Sequence, residues 1–251
     1  MPDRQTRRWI ILALASAAFI ALIASTGVWE ASLRFLFPQE SQVLHPRASL
    51  LTLVVEHLGL VGISSSLTIL IGVPLGIWVT CPGGRNFLPI VTDLTSFGQT
   101  FPPVAVLALA VPMLGFGLVP TVVALFLYGL LPVVRNTIAG LRAVPPHLLD
   151  AAYGMGMGRF QALFRVEIPL AARVILAGIR ISVIINIGTA MIGAAIGAGG
   201  LGSPIIAGLV QDNLAYIIEG AVPAAILAVL ADQLLANVEG SFAYMPEEAT
   251  R

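Results

Sequence analysis

The chain has 251 residues, 57% of them hydrophobic and only 10% charged, and its formal net charge is zero. That balance excludes a nucleic-acid footprint and puts the chain in the membrane class. All 13 basic residues are arginine, and one cysteine, Cys81, excludes both an internal disulfide and a multi-cysteine zinc site.

Three long runs carry no charge: Leu58 to Gly84, Leu94 to Val134, and Ile181 to Gln211. Crossing a hydrocarbon layer of about 30 Å takes about 20 apolar residues, so the middle run holds two spans, divided near Pro112 to Pro120. The pattern predicts an all-α integral membrane protein, a polytopic bundle of about six transmembrane helices. Their expected positions are about 9–28, 58–80, 87–112, 118–140, 170–197 and 214–236.

The first span follows Arg4, Arg7 and Arg8. Small residues at Ala21 to Ser25 resemble a cleavage site, but the apolar run from Trp9 to Val28 is long for a signal core, so an uncleaved span is expected. About 30 extracytoplasmic residues, 29–57, come next. The stretch after Ser49 is amphipathic and is expected to lie along the interface. The resulting division is 1–49 for the extra N-terminal helix and its connection, 50–240 for the main transmembrane domain, and 241–251 for a short tail.

Arginine placement sets the orientation. With the N-terminus inside, Arg4, Arg7, Arg8, Arg85, Arg135, Arg142, Arg159, Arg165, Arg173, Arg180 and Arg251 lie at or near the cytoplasmic side, and only Arg34 and Arg47 lie outside. Both termini and the loop 141–169 are then cytoplasmic. Pro74, Pro102, Pro103, Pro132 and Pro223 interrupt spans, where each removes a backbone donor and favours a kink. Gly72-x-x-x-Gly76 and Gly193-x-x-x-Gly197 permit close helix contact, either within the monomer or at a dimer seam.

The segment DAAYGMGMGRFQALFRVEIP, 150–169, stands out as polar sequence between apolar runs. Small side chains at Ala151 and Ala152 let a short helix dock into a groove without steric conflict. Pro145 and Pro146 suit a helix start. Gly154, Gly156 and Gly158 permit a turn or a tight approach. Arg159 and Arg165 can reach acidic or carbonyl groups on a partner.

This segment resembles the cytoplasmic loop of bacterial ABC importer permeases: Glu-Ala-Ala, three residues, Gly, nine residues, an apolar residue, any residue, Leu and Pro. Asp150, Ala151 and Ala152 stand at the triplet, Gly156 at the glycine, Val166 and Ile168 at the apolar positions, and Pro169 at the close. The spacing needs no gap; Asp replaces Glu, a shorter reach toward any partner. Residues 97–137 and 180–202 also resemble permeases of osmoprotectant importers, and the similarity covers about 50–240.

The resemblance implies a type I ABC importer permease fold and a bacterial inner-membrane location. It implies an ABC ATPase subunit, an extracytoplasmic substrate-binding protein, and a second permease copy or paralogue as partners. The solute would be a small zwitterion or quaternary ammonium such as glycine betaine or choline. Asp150, Ala151, Ala152, Gly154, Gly156, Arg159 and Pro169 are the implied ATPase-coupling residues. No cofactor is expected in the chain itself: a P-loop needs lysine, which is absent, so ATP is bound by the partner subunit and the chain is non-catalytic. The expected mechanism is alternating access, with a short helix at about 148–160 moving with the ATPases.

Other signals are weaker. Gly197, Gly199 and Gly202 spell G-x-G-x-x-G, but they follow an apolar span rather than a strand, and a tight extracytoplasmic turn is the better reading. His45, His57 and His147 are expected outside the spans, with no metal-ligand spacing. Asp93 and Asp232 fall near cytoplasmic ends, where hydration or arginine pairing accounts for them. Glu219, within the last span, lines a cation route or is an interfacial acid touching headgroups or water. Gln99, Thr100, Asn186 and Thr189 line a path or join helices. No aromatic cluster stands in the spans, so solute selection is expected to rest with the binding protein. The alternatives are an importer for amino acids such as methionine, and a secondary carrier.

Overall fold

A computed structural model describes residues 4–242; the last nine residues of the expected tail, Arg251 among them, lie outside the described residues. The helices are α1 (Arg4–Ala24), α2 (Thr26–Leu36), α3 (Leu50–Thr80), α4 (Leu88–Thr100), α5 (Pro103–Leu114) and α6 (Leu118–Arg142). They continue as α7 (Pro146–Gly154), α8 (Arg159–Ala162), α9 (Ile168–Gly193), α10 (Gly202–Gln211) and α11 (Leu214–Ser241). Five helical runs among the described residues are long and apolar enough to cross a membrane, or six if α4 and α5 make one broken span.

The core is α6 held between α3 and α9. It forms because small residues let the backbones approach, which is how helices associate where lipid removes the hydrophobic drive. Gly72 and Gly76 of α3 face Val133 and Thr137 of α6, and an added Cβ at Gly76 would lie 2.7 Å from Thr137 Cβ. Gly178 of α9 faces Asn136 and the Pro132 carbonyl of α6. Gly72-x-x-x-Gly76 is therefore a seam within the chain. Gly193 meets Thr121 of α6, whereas Gly197 caps a turn.

Three expectations change. The expected span 87–112 is two helices meeting at 95°. Neither Pro102 nor Pro103 has a backbone N–H, and a residue before proline is driven to extended backbone, as Phe101 is at ψ 134. The stretch after Ser49 is not a separate interfacial segment. Ser49 Oγ accepts from the Thr52 N–H at 3.2 Å, capping α3, so these residues are the first turns of the span. His57 thereby falls inside α3, fully buried, with Nε2 3.0 Å from the Ile187 carbonyl. Finally, α11 runs on to Ser241, the first residue of the expected tail.

The two ends of the bundle differ. At one end lie 141–169 and the starts and ends of the outer helices, where Gln5 Nε2 donates to Ser241 Oγ at 3.0 Å. There Arg180 of α9 grips Asp232 of α11 through two bonds, 2.7 and 2.8 Å, and reaches Glu239 at 3.4 Å. Asp232 is thus paired, as expected, while Asp93 is exposed on α4. At the far end lie α2, α10 and the connection 37–49, which crosses the bundle as a strap.

Gly178 and Gly188 share α9, but only Gly178 is in contact. Gly178→Ala is expected to lower the midpoint of thermal unfolding, with an overpacking cost of about 1–3 kcal/mol, while Gly188→Ala leaves it level or raises it. Melting curves of the two purified variants in one detergent check this.

Candidate functional site

The segment 141–169 is a protruding stub rather than a loop. Pro145 precedes α7 and Pro146 opens it, in keeping with the sequence expectation. Helix α7 ends in a paired cap: the Met157 N–H bonds the Ala152 carbonyl at 3.1 Å and the Gly156 N–H bonds the Tyr153 carbonyl at 2.9 Å. That geometry needs a left-handed residue, supplied by Gly156 at φ +82. Helix is resumed at Arg159, where the Gly158 N–H donates to the Gln161 side chain. The expected helix at about 148–160 is therefore two pieces, with only 155–158 between them.

Pro169 does not close a loop. It lies in a helical run that continues from Arg159 to Ile196. The stretch Leu163–Glu167 is a wide π turn, in which the Ile168 N–H bonds Leu163, five residues back. The turn sits immediately before Pro169, which has no N–H to continue the regular ladder.

Of the expected coupling residues, Asp150, Ala151, Gly154, Gly156, Arg159 and Pro169 are exposed, whereas Ala152 is buried within the stub. Sequence reasoning missed the largest exposed side chains there: Tyr153, Met155, Phe160 and Phe164, at 43, 71, 78 and 63% exposure. Their signal was available, since big apolar residues in a polar segment are costly unless a partner covers them.

The polar candidates inside the bundle mostly engage neighbouring helices. Gln99 Nε2 donates to the Tyr128 carbonyl at 3.1 Å. That carbonyl is four residues before Pro132 and so has no intrahelical donor. Thr100 Oγ1 bonds the Ser96 and Phe97 carbonyls of its own helix, at the break between α4 and α5. Asn186 is fully buried between α3 and α9, with Nδ2 3.2 Å from Ser65 Oγ. Thr189, one turn on, is half-buried.

Glu219 is 2% exposed, so it is not an acid lying open to headgroups. Its carboxylate accepts the His45 backbone N–H at 2.8 Å, which binds the strap to α11. Two more bonds reinforce this: Asn213 Nδ2 to the Gln42 carbonyl, 2.8 Å, and Tyr216 hydroxyl to Gln42 Oε1, 2.9 Å. The His45 ring meets Tyr216 edge-on. Burial and the nearby Arg47 hold the His45 imidazole below its ordinary pKa.

The turn 197–202 closes the far end. Gly197, at φ +80, caps the end of α9 with the Ala198 N–H on the Gly193 carbonyl, and the Gly200 N–H donates to Glu56 at 2.9 Å. The G-x-G-x-x-G pattern is therefore a turn packed on α3, preceded by helix.

Residues 72–241 match the family described as the binding-protein-dependent transport system inner membrane component. The chain belongs to that family. The permease is 41% identical over 217 residues to the osmoprotectant import permease protein OsmY of Salmonella typhimurium, covering 86% of this chain and 89% of that one. It is 44% identical over 184 residues to the glycine betaine/carnitine/choline transport system permease protein OpuCB of Bacillus subtilis, covering 73% and 84%. Among solved structures it resembles the MetNI methionine ABC transporter in inward facing conformations, with TM-score 0.68 and 24% identity over 77% of this chain and 95% of that chain. At that identity the likeness shows the type I importer permease fold alone. The stub, the α4–α5 break and the 197–202 turn of the permease all lie inside the family match; α1, α2 and the strap lie outside it.

Glu219→Gln retains an oxygen that accepts from His45, whereas Glu219→Ala leaves that N–H unpaired. Thermal unfolding of the purified permease is expected to show a loss of about 1–3 kcal/mol for the alanine variant and a clearly smaller loss for glutamine.

Proposed function

We propose that this chain is the membrane-spanning permease subunit of an ATP-driven importer for osmoprotectants such as glycine betaine or choline. It forms the translocation path and couples to separate ATPase subunits. The observation that carries the reading is the 41% identity to an osmoprotectant import permease over most of both chains. An extracytoplasmic binding protein delivers the solute, and a second permease copy or paralogue completes the path. The stub end, with its arginines, faces the cytoplasm together with both termini.

Asp150, Ala151, Gly154, Gly156 and Arg159 form the docking surface for the ATPase, with Tyr153, Met155 and Phe160 as its apolar anchors. Ala152 keeps the stub thin from inside, and Pro169 marks the joint with α9. When ATP closes the two ATPases, the stub moves with them. Unbroken helix from Arg159 to Ile196 carries that movement into α9, and through its packing into α6 and α3. Gln99, Thr100, Asn186, Thr189 and Glu219 remain the candidates to meet solute. In the arrangement described, Gln99, Asn186 and Glu219 hold neighbouring segments, so they reach a path only as helices shift.

Phe160→Asp and Gly156→Val are each expected to abolish copurification of the ATPase while leaving the melting midpoint of the bundle nearly unchanged. Phe160 is 78% exposed. A Cβ added at Gly156 would meet nothing within 4 Å, but the left-handed backbone there resists β-branched residues. Retained ATPase in both variants counts against the stub as the docking element.

An amino-acid importer is the second reading, supported by fold likeness alone. Cells producing the whole system are expected to take up labelled glycine betaine or choline, and labelled methionine only at background. The reverse result overturns the osmoprotectant assignment.

A further inference from the structure

A cavity of about 400 Å³ lies at the far end, between α2, the strap and α11. Thr26, Trp29, His45, Arg47, Ser49 and Glu219 are among its walls. The size is that of a small-ligand site, about 300–1,000 Å³. Three of these groups are left incompletely satisfied by the protein. The Trp29 indole N–H and His45 Nδ1 are buried without a hydrogen-bond partner among the described residues. Glu219 accepts one backbone N–H but has no ion pair among the described residues, and it is more than nine-tenths buried.

A carboxylate so enclosed is costly unless a proton neutralises it or a cation compensates it. The neighbouring His45 is a poor source of one, since burial and Arg47 both disfavour its protonated form. The indole offers a π face for a cationic nitrogen and an N–H for an anionic oxygen. Arg47, exposed on the same wall, supplies positive charge at the mouth.

We propose that this cavity binds a small zwitterion, with its cationic nitrogen against Glu219 and Trp29 and its oxyanion toward the Trp29 N–H and Arg47. Two sources offer that chemistry: a free betaine-type solute, and the phosphoethanolamine headgroup of a neighbouring lipid. The site lies at the far end, outside the α3–α6–α9 core, and gives Glu219 a role other than meeting solute in the path.

The test uses the full chain with its ATPase subunits in lipid nanodiscs, carrying Trp9→Phe and Trp78→Phe so that Trp29 is the chain's one tryptophan. Its emission is read as the difference from the same complex carrying Trp29→Phe as well. One arm titrates glycine betaine into phosphatidylglycerol discs. The other compares discs with graded phosphatidylethanolamine and no betaine. A saturable change in Trp29 emission is expected in at least one arm, and the responding arm names the source. Arg47→Ala is expected to raise the half-saturating amount about fivefold. Glu219→Gln, which keeps the His45 bond, abolishes the response. Thr26→Phe, which fills the cavity without touching the strap's hydrogen bonds, abolishes it too. No response in either arm overturns the proposal, as does a response that survives both Glu219→Gln and Thr26→Phe. Betaine uptake without a Trp29 response overturns this site alone; a Trp29 response without uptake overturns the transport reading and leaves the site.

Discussion

The contact between α6 and its two neighbours, α3 and α9, sets the limits within which everything else is arranged. Backbones approach there because Gly72, Gly76 and Gly178 present no side chain to Val133, Thr137 and Asn136. In lipid, apolar side chains gain little by meeting one another, so shape and polar bonds must hold the bundle. Polar side chains accordingly appear at the same seams: Ser64, Ser65 and Thr68 on α3 face Ser182 and Asn186 on α9 across Gly129 of α6. A bulkier residue at any of these glycines pries apart the helices that the stub must move together.

Backbone groups freed by proline are the second constraint. Pro132 strips the Tyr128 carbonyl of its donor, and Gln99 supplies one from α4. Pro102 and Pro103 end α4 and start α5 in a new direction. Pro169 is preceded by the π turn that takes up its missing bond. Pro132 thus shapes the bundle with its freed carbonyl answered from a neighbouring helix.

Much of this is legible in the sequence. Hydropathy locates the spans, since charge-free runs have few alternatives in a chain of this composition. The Asp150 to Pro169 spacing marks the stub, because the left-handed cap at Gly156 favours glycine and Pro169 has no N–H for the regular ladder. The bend at Phe101 is less visible: proline alone permits anything from a kink to a right-angle break. The start of α3 is misplaced by a local reading because Glu56 and His57 look extracytoplasmic. His57 is instead buried, with Nε2 bonded to a carbonyl 130 positions away, which no local pattern encodes. Glu219 is visibly unusual, yet its partner, the His45 N–H, is a main-chain group and leaves no trace in residue identity. The exposed aromatics of the stub are masked by the small residues between them, which carry the recognisable spacing.

The break between α4 and α5 has an electrostatic result that residue types alone would hide. The last carbonyls of α4 have no main-chain donor in their own helix, only the Thr100 hydroxyl on Phe97, while the start of α5 is formed by two prolines that contribute no N–H at all. A helix normally answers the partial negative charge at one terminus with partial positive charge at the next. Here the second half of that exchange is muted, so an uncharged stretch midway through the bundle carries an excess of acceptor dipoles, a faint anionic patch made from peptide oxygen and not from any acidic side chain.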